Sequence, residues 1–394
     1  MLTKEENERL TSVGPGTPGG ELLRRYWHPV CPAEDLTQER PLKRVRLLAE
    51  DLVLYRDPDG GYGCVGEHCS HRGASLYYGF LEDGGIRCPY HGWLYDKTGA
   101  CLEQPFEPGQ SMMRHAIRHP AYPVEERAGL LFIYMGPQPS PLVPNYDVMV
   151  RKDGTRRIEL DPLLNCNWLQ MMETNVDPTH NHFLHHYMSI KLNLGRRLEL
   201  DPPMREIEFE ACEWGIMKRC LLADKAGDRW EESGTAIFPN VLRHHLSRGN
   251  MSLHYRVPID DTHSRTIWVG FDPSKDGREV EQPEIPVSYN EFKDENGDFT
   301  MQDNGNQDSM AWETQGPIRD RTIERLGATD RGVVLFRELL REQIEVVRGG
   351  DEPMGVVRDP DRNRIIRFAE RRERVGEPTV STRPAERQVL SGLA

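Results

Sequence analysis

Residues 67–93 read EHCSHRGASLYYGFLEDGGIRCPYHGW and contain two matched pairs, Cys69-x-His71 and Cys88-x-x-His91. Two thiols and two imidazoles at neighbouring tight turns suit a metal. One option is a single zinc in a Cys2His2 site. The other is a pair of irons bridged by sulfide, with thiolates on one iron and imidazoles on the other. Zinc fingers usually pair their cysteines first and offer histidines later from a helix. Here each turn runs Cys then His, so each can give a sulfur to one iron and a nitrogen to the other. Gly73 and Gly92 follow the histidines and permit the tight backbone. A lone Cys-x-His is usually chance, but two matched copies in a β-rich setting favour the two-iron, Rieske-type [2Fe–2S] cluster.

A cluster that holds an electron leaves most of the chain to use it. The stretch TNVDPTHNHFLHH, residues 174–186, supplies Asp177, His180, His182, His185 and His186. A mononuclear iron(II) that activates O2 is held by two histidines and one carboxylate, with positions left open. Spacing alone leaves the histidine pair undecided. His182 and His186 stand four apart, which suits one helix face. His180 and His185 stand five apart, which requires a bulge or a helix end. Further on, NQDSMAWETQGPIRDR offers Asp308, Glu313 and Asp320 as carboxylates, with Asp303 just upstream.

The elements that must position these groups are legible in outline. Residues 1–26 form a short helical lead. Residues 27–137 alternate short β-like runs with Gly, Asp and Pro turns, and RDPDGGYG reads as a hairpin turn. GPQPSPLVPNYD, residues 136–147, reads as a linker, and residues 138–374 form a second unit. Within it NCNWLQMMETNVDPTHNHFLHH is helical at both ends, with a break at Asn175–Pro178 and Asp177 as a cap. Residues 204–271 alternate as long antiparallel strands, and 274–307 are loop-rich. Val333, Phe336, Leu340, Ile344 and Val347 give a helix with one buried face. Residues 375–394 read as a mobile tail. The expected class is α+β: an all-β N-terminal unit, then an antiparallel sheet with helices.

CSHRGA and CPYHGW resemble the Rieske motif of aromatic ring-hydroxylating oxygenases, and the likeness runs along most of the chain, through LTKEENERLTSVGPGTPGGELLRRYWHPV, NWLQMMETNVDPTHNHFLHH, YRVPIDDTH and NQDSMAWETQGPIRDR. Respiratory Rieske proteins carry an extra cysteine in each loop, and those places are Ala74 and Tyr90 here. The sequence is therefore similar to the oxygenase branch, specifically to the phthalate 4,5-dioxygenase group of oxygenase (alpha) subunits. That resemblance implies a Rieske domain followed by a helix-grip catalytic domain. It selects His180 and His185, through Asp-x-x-His-x-x-x-x-His, and Asp308, five before Glu313, as ligands of a mononuclear iron(II). It gives Asp177 the role of linking a Rieske histidine of a neighbouring subunit to His180. It also implies a homotrimer or hexamer, a flavin/iron–sulfur NAD(P)H reductase as electron donor, and either ring dihydroxylation or O-demethylation.

A carboxylated aromatic substrate needs a cation in the pocket, most naturally an arginine. Arg219, Arg243 and Arg248 lie in the strand region, and FPNVLRHH makes Arg243 the first choice. The net charge of −13 argues against broad nucleic-acid binding. No apolar run is long enough to span a bilayer, and the N-terminus lacks a signal-peptide core. A cytoplasmic location is expected. Eight cysteines in 394 residues are too sparse for a disulfide scaffold and read as reduced thiols or metal ligands.

Overall fold

The computed structural model describes residues 1–109, 111–194, 204–223, 228–245, 250–368 and 372–374. The expected tail, 375–394, lies outside the described residues.

The N-terminal part is all-β. Leu42–Leu47, Glu50–Arg56, Tyr62–Gly66 and Ala121–Tyr122 form one four-stranded sheet. The RDPDGGYG stretch makes the expected hairpin, with Asp57 N–H donating to Gly61 O. Phe80–Glu82, Gly85–Arg87, Leu94–Tyr95 and Cys101–Glu103 form a second small sheet, in which the Cys88–His91 turn joins the second strand to the third; the Cys69–His71 turn follows Tyr62–Gly66 of the first sheet. Between the two sheets lies a separate small core built from Val53, Tyr55, Val65, Leu76, Ile86, Trp93 and Tyr95 together with Cys69 and Cys88.

The second part is a mostly antiparallel sheet with helices. Met204–Cys212, Gly215–Leu222, Arg229–Ile237, Val241–His245, Met251–Pro258, Ser264–Pro273 and Gly154–Leu160 pair in that order, each antiparallel to the next. Val287–Tyr289 adds in parallel at the Gly154–Leu160 edge. The helix Arg331–Arg348 lies against this sheet. Its buried face includes Val333, Phe336, Leu340, Ile344 and Val347, the five positions its periodicity marks. The fold is thus α+β, with an all-β unit followed by a helix-grip sheet.

The lead forms helices Lys4–Thr11 and Pro18–Leu23, which pack on the Arg331–Arg348 helix and lead into the β unit, where Arg24 meets Leu48 O and Glu50. Leu10, Val13, Leu22 and Leu23 share one core with Phe336, Leu340 and Ile344, and Arg9 pairs with Glu345. Two expectations change: the polar stretch ends earlier than read, and the Pro-rich stretch is packed. Asp303 accepts from Asn306 N–H and starts a helix, Asn304–Glu313. The Pro-rich stretch is packed rather than free, with Leu142 N–H donating to Val357 O and Val143 and Tyr146 buried.

Candidate metal centres

The two Cys/His turns are built alike. Cys69 N–H donates to Ala74 O and Gly73 N–H returns to Cys69 O; Cys88 N–H donates to Trp93 O and Gly92 N–H returns to Cys88 O. Gly73 and Gly92 sit at φ +75° and +74°, the left-handed region these closures require. The two imidazoles meet, with His71 and His91 ring centroids 4.6 Å apart. Trp93 stacks flat on His71 at 4.4 Å.

Each turn is held from behind. The buried His119 donates from Nε2 to Gly66 O and takes the Ser70 hydroxyl on Nδ1, both at 2.8 Å. Arg87 spans Glu82, Glu103 and Gly92 O. Tyr95 places its hydroxyl 3.2 Å from Cys69 Sγ. Both thiols are buried, and burial together with the neighbouring Cys69 raises the Cys88 thiol above its ordinary value. Two buried thiols side by side ionise together only beside a cation. His71 Nδ1 is also buried without a hydrogen-bond partner. This donor set fits a two-iron cluster. The four groups do not converge on one point, in keeping with ligands divided between two metals.

The second centre is assembled from two helices far apart in sequence. Trp168–Asn175 is an α-helix that ends before Pro178. Asp177 Oδ1 then accepts Thr179 N–H at 2.8 Å, the expected cap. Asn181–Tyr187 is π-helical, which places residues five apart on one face. The awkward five-residue spacing of His180 and His185 is resolved in this way, and their rings lie 5.1 Å apart. His182 and His186 are not part of the group.

Asp308 arrives on the Asn304–Glu313 helix. That helix is fixed to the first by Trp312 Nε1–H donating to Thr174 Oγ1 at 2.7 Å and by Gln170 Nε2–H donating to Trp312 O at 2.9 Å. Among the described residues, His180, His185 and Asp308 are the one set of three or more such side chains whose ligand atoms all lie within 4.8 Å of one another. Asp308 Oδ1 stands 3.2 Å from His185 Nε2 and 3.8 Å from His180 Nε2. Asp303 caps its helix and Glu313 accepts Asn165 N–H and meets Lys293, so both carboxylates are otherwise engaged.

Gln307, not anticipated from the sequence, settles the His185 tautomer. Its Nε2 donates to Met301 O, which turns Oε1 toward His185 Nδ1 at 3.0 Å. Nδ1 therefore carries the proton, and the Nε2 lone pair faces Asp308. An imidazole lone pair and a carboxylate oxygen at 3.2 Å are two acceptors with no proton between them, and Asp308 Oδ1 has no hydrogen-bond donor. A divalent cation answers that arrangement. On the outer side of His180, Asp177 Oδ2 lies 3.6 Å from Nδ1. Burial raises Asp177, and His180 and Thr179 more than reverse it.

Arg243 requires a correction. It is completely buried and forms a two-pronged ion pair with Asp147, Nε to Oδ1 at 3.0 Å and Nη2 to Oδ2 at 2.9 Å, with Nη1 on His244 O. Its fork is spent inside the core, so it offers nothing to a substrate. Arg219 is bound to Glu208 and lies over Trp230. Arg248 lies outside the described residues.

Residues 26–120 match the Rieske [2Fe-2S] domain family, and residues 288–368 match the family described as LigXa C-terminal domain like. The chain is 38% identical to the 5,5'-dehydrodivanillate O-demethylase oxygenase subunit of Sphingobium sp. (strain NBRC 103272 / SYK-6), over 93% of this chain and 86% of that protein. It is 31% identical to the phthalate 4,5-dioxygenase oxygenase subunit of Pseudomonas putida, over 93% and 92%. Its fold matches that of the terminal oxygenase of carbazole 1,9a-dioxygenase from Nocardioides aromaticivorans IC177 with a TM-score of 0.63, at 19% identity, over 87% of this chain and 98% of the other.

Proposed function

The chain belongs to the Rieske non-heme iron oxygenases, as an oxygenase (alpha) subunit, and on that premise we propose that it oxygenates a carboxylated aromatic compound. Enzymes of this family incorporate oxygen from O2, and the [2Fe–2S] cluster and mononuclear iron supply the electron storage and O2 activation that side chains lack. Cys69, His71, Cys88 and His91 would hold the cluster within a unit of residues 27–137. His180, His185 and Asp308 would hold the iron within a catalytic unit of residues 138–374. The observation that carries the reading is the His180–His185–Asp308 cluster, in one chain with the paired Cys/His turns.

The protein's own contribution is positional. The Gln307 amide holds the His185 ring and its tautomer, and Trp312 and Gln170 hold the Asp308 helix against the His180 helix. Asp177 is anchored by Thr179 and keeps Oδ2 toward His180, with its side chain still a quarter exposed. That exposure supports its linking role toward an imidazole of a second subunit. Exposed Tyr78, Phe80 and Tyr90 around the Cys/His turns, and exposed Phe183 and Tyr187 beside the iron ligands, support a homotrimer or hexamer in which one subunit's cluster meets the next subunit's iron site. Electrons would come from NAD(P)H through a separate flavin/iron–sulfur reductase in the cytoplasm. Among the described residues no helix is long and apolar enough to cross a membrane.

The names of the two relatives above, dehydrodivanillate and phthalate, are both those of aromatic carboxylates, which supports an acid substrate. The 38% identity to an O-demethylase favours a second reading, removal of a methyl ether to give a phenol and formaldehyde. NADH-dependent O2 uptake with a reductase and a panel of phthalates and methoxybenzoates tests both. Uptake with cis-dihydrodiol as product supports dioxygenation, whereas formaldehyde supports demethylation. Iron-replete enzyme with no acid-dependent uptake would refute the proposal.

A further inference from the structure

Lys218 is a buried cation that nothing above uses. It lies on the Gly215–Leu222 strand with 4% of its surface exposed. Its cross-strand partner is Phe209, whose ring abuts Gly332 of the long helix next to Val176 O. Cross-strand partners share a face, so Lys218 points to the side of the sheet covered by the end of the His180-bearing segment. On its other flank the register slips: Met217 faces Thr235 but Arg219 faces Glu232. The extra residue is taken up at Gly234, at φ +112°, a bulge that bends the sheet around Lys218.

The charged groups that act on the Lys218 ammonium are Cys220, Asp177, Asp308 and Arg256, and Lys218 in turn acts on the buried His254. Lys218 thus lies within electrostatic reach of Asp177 and Asp308, on the sheet face that Phe209 shares and that Val176 covers. Neither carboxylate is available as a counter-ion. Asp177 is taken by Thr179 and His180, and Asp308 faces both ligand histidines. Lys218 makes no hydrogen bond or ion pair with any described residue. His254, on which Lys218 acts, has its Nδ1 buried without a hydrogen-bond partner. Arg256 differs: it is bound to Thr266 and Asn175 and lies over Trp312. Burial lowers the Lys218 ammonium to about 8, which still leaves it largely charged at neutral pH. A buried ammonium with no partner among the described residues is costly to the fold and suits a site where an anion is to be received.

We propose that Lys218 is the substrate-anchoring cation, pairing with the carboxylate of the aromatic acid and so orienting the ring toward the iron held by His180, His185 and Asp308. This rests on the aromatic-acid oxygenase reading above and gives Lys218 the role that Arg243 cannot fill.

The test compares wild type with Lys218→Met, Lys218→Gln and Lys218→Arg, each iron-loaded with its visible cluster spectrum intact. Dissociation constants are measured by calorimetry for phthalate and vanillate, and for dimethyl phthalate and methyl vanillate. Lys218→Met should weaken binding of whichever acid wild type binds by at least about tenfold, leave the esters within about twofold, and recover most acid affinity as Lys218→Arg. Lys218→Gln, which stays polar, should follow Lys218→Met and serves if that variant does not fold. A merely structural lysine would change acid and ester alike. Acid binding as tight in Lys218→Met or Lys218→Gln as in wild type overturns the anchor and leaves the oxygenase reading standing. A wild type that binds the esters but neither acid overturns the aromatic-acid reading, and the anchor with it.

Discussion

The two candidate metal centres of this chain are built in opposite ways. Each Cys/His turn closes on itself: its backbone hydrogen bonds span five residues or fewer, and its cysteine and histidine stand two or three apart. The mononuclear site is made at long range. Asp308 is more than 120 residues from His185, and Gln307, which orients that histidine, is equally distant. The first centre depends on local backbone conformation, the second on how two helices are clamped together. Damage to one should therefore be separable from damage to the other.

The strongest way to break this comparison is Asp308→Ala. Turnover should fall at least about 100-fold, since loss of a mere supporting partner already costs 10–100-fold. Iron should drop from about three to about two per chain, with two acid-labile sulfides and the cluster colour retained. Iron and sulfide analysis with visible spectroscopy checks this, and a bleached cluster would show that the centres are not independent. Arg243→Met should cost about 3–5 kcal/mol of stability by stranding Asp147 in the core. Urea unfolding should reveal that loss, and KM for an aromatic acid should not move. An altered KM with unchanged stability would return Arg243 to the pocket.

Two smaller changes separate holding the iron from feeding it. Gln307→Leu should weaken iron binding by about 10–100-fold, because His185 loses the acceptor that fixes its ring. Asp177→Ala should leave iron content and the cluster spectrum intact, yet slow single-turnover oxidation of the reduced cluster by about tenfold or more, the scale of losing one oriented partner. Full turnover in that variant would remove its linking role. The smallest effect is expected at Tyr95→Phe. Deleting one hydrogen bond of about 1 kcal/mol to Cys69 Sγ should lower the cluster potential by tens of millivolts, with no loss of iron. A potentiometric titration reads it directly, and an unchanged potential would mean the hydroxyl does not donate to the sulfur.

Legibility in the sequence followed the same division. The hairpin at RDPDGGYG, the break at Asn175–Pro178 and the buried stripe from Val333 to Val347 depend on neighbours within a turn or two, and periodicity and turn residues announced them. The spacing of His180 and His185 signalled an irregular helix, and a π-helical segment supplies it. The lead helices were readable as helices, but not their packing on the Arg331–Arg348 helix, because any large apolar face would have satisfied their leucines. The helix that carries Asp308 has a local signal in Asp303, three residues before Asn306, a side-chain cap at the edge of a polar stretch.

By itself the sequence determined the ligand types and the two matched turns, since thiols, imidazoles and glycines at fixed short spacings leave the backbone few ways to arrange them. It also determined the family and the kind of chemistry. Only the tertiary structure decided which cation is free. Arg243 and Lys218 stand on neighbouring parts of one sheet, and charge and strand position do not distinguish them. Arg243 meets Asp147 across nearly a hundred residues and is neutralised there, while Lys218, beside the bulge at Gly234, has no counter-ion among the described residues. Whether a charge is spent or available depends on the partner that folding brings to it, and that partner is fixed by sheet register and helix packing rather than by any residue nearby in the chain.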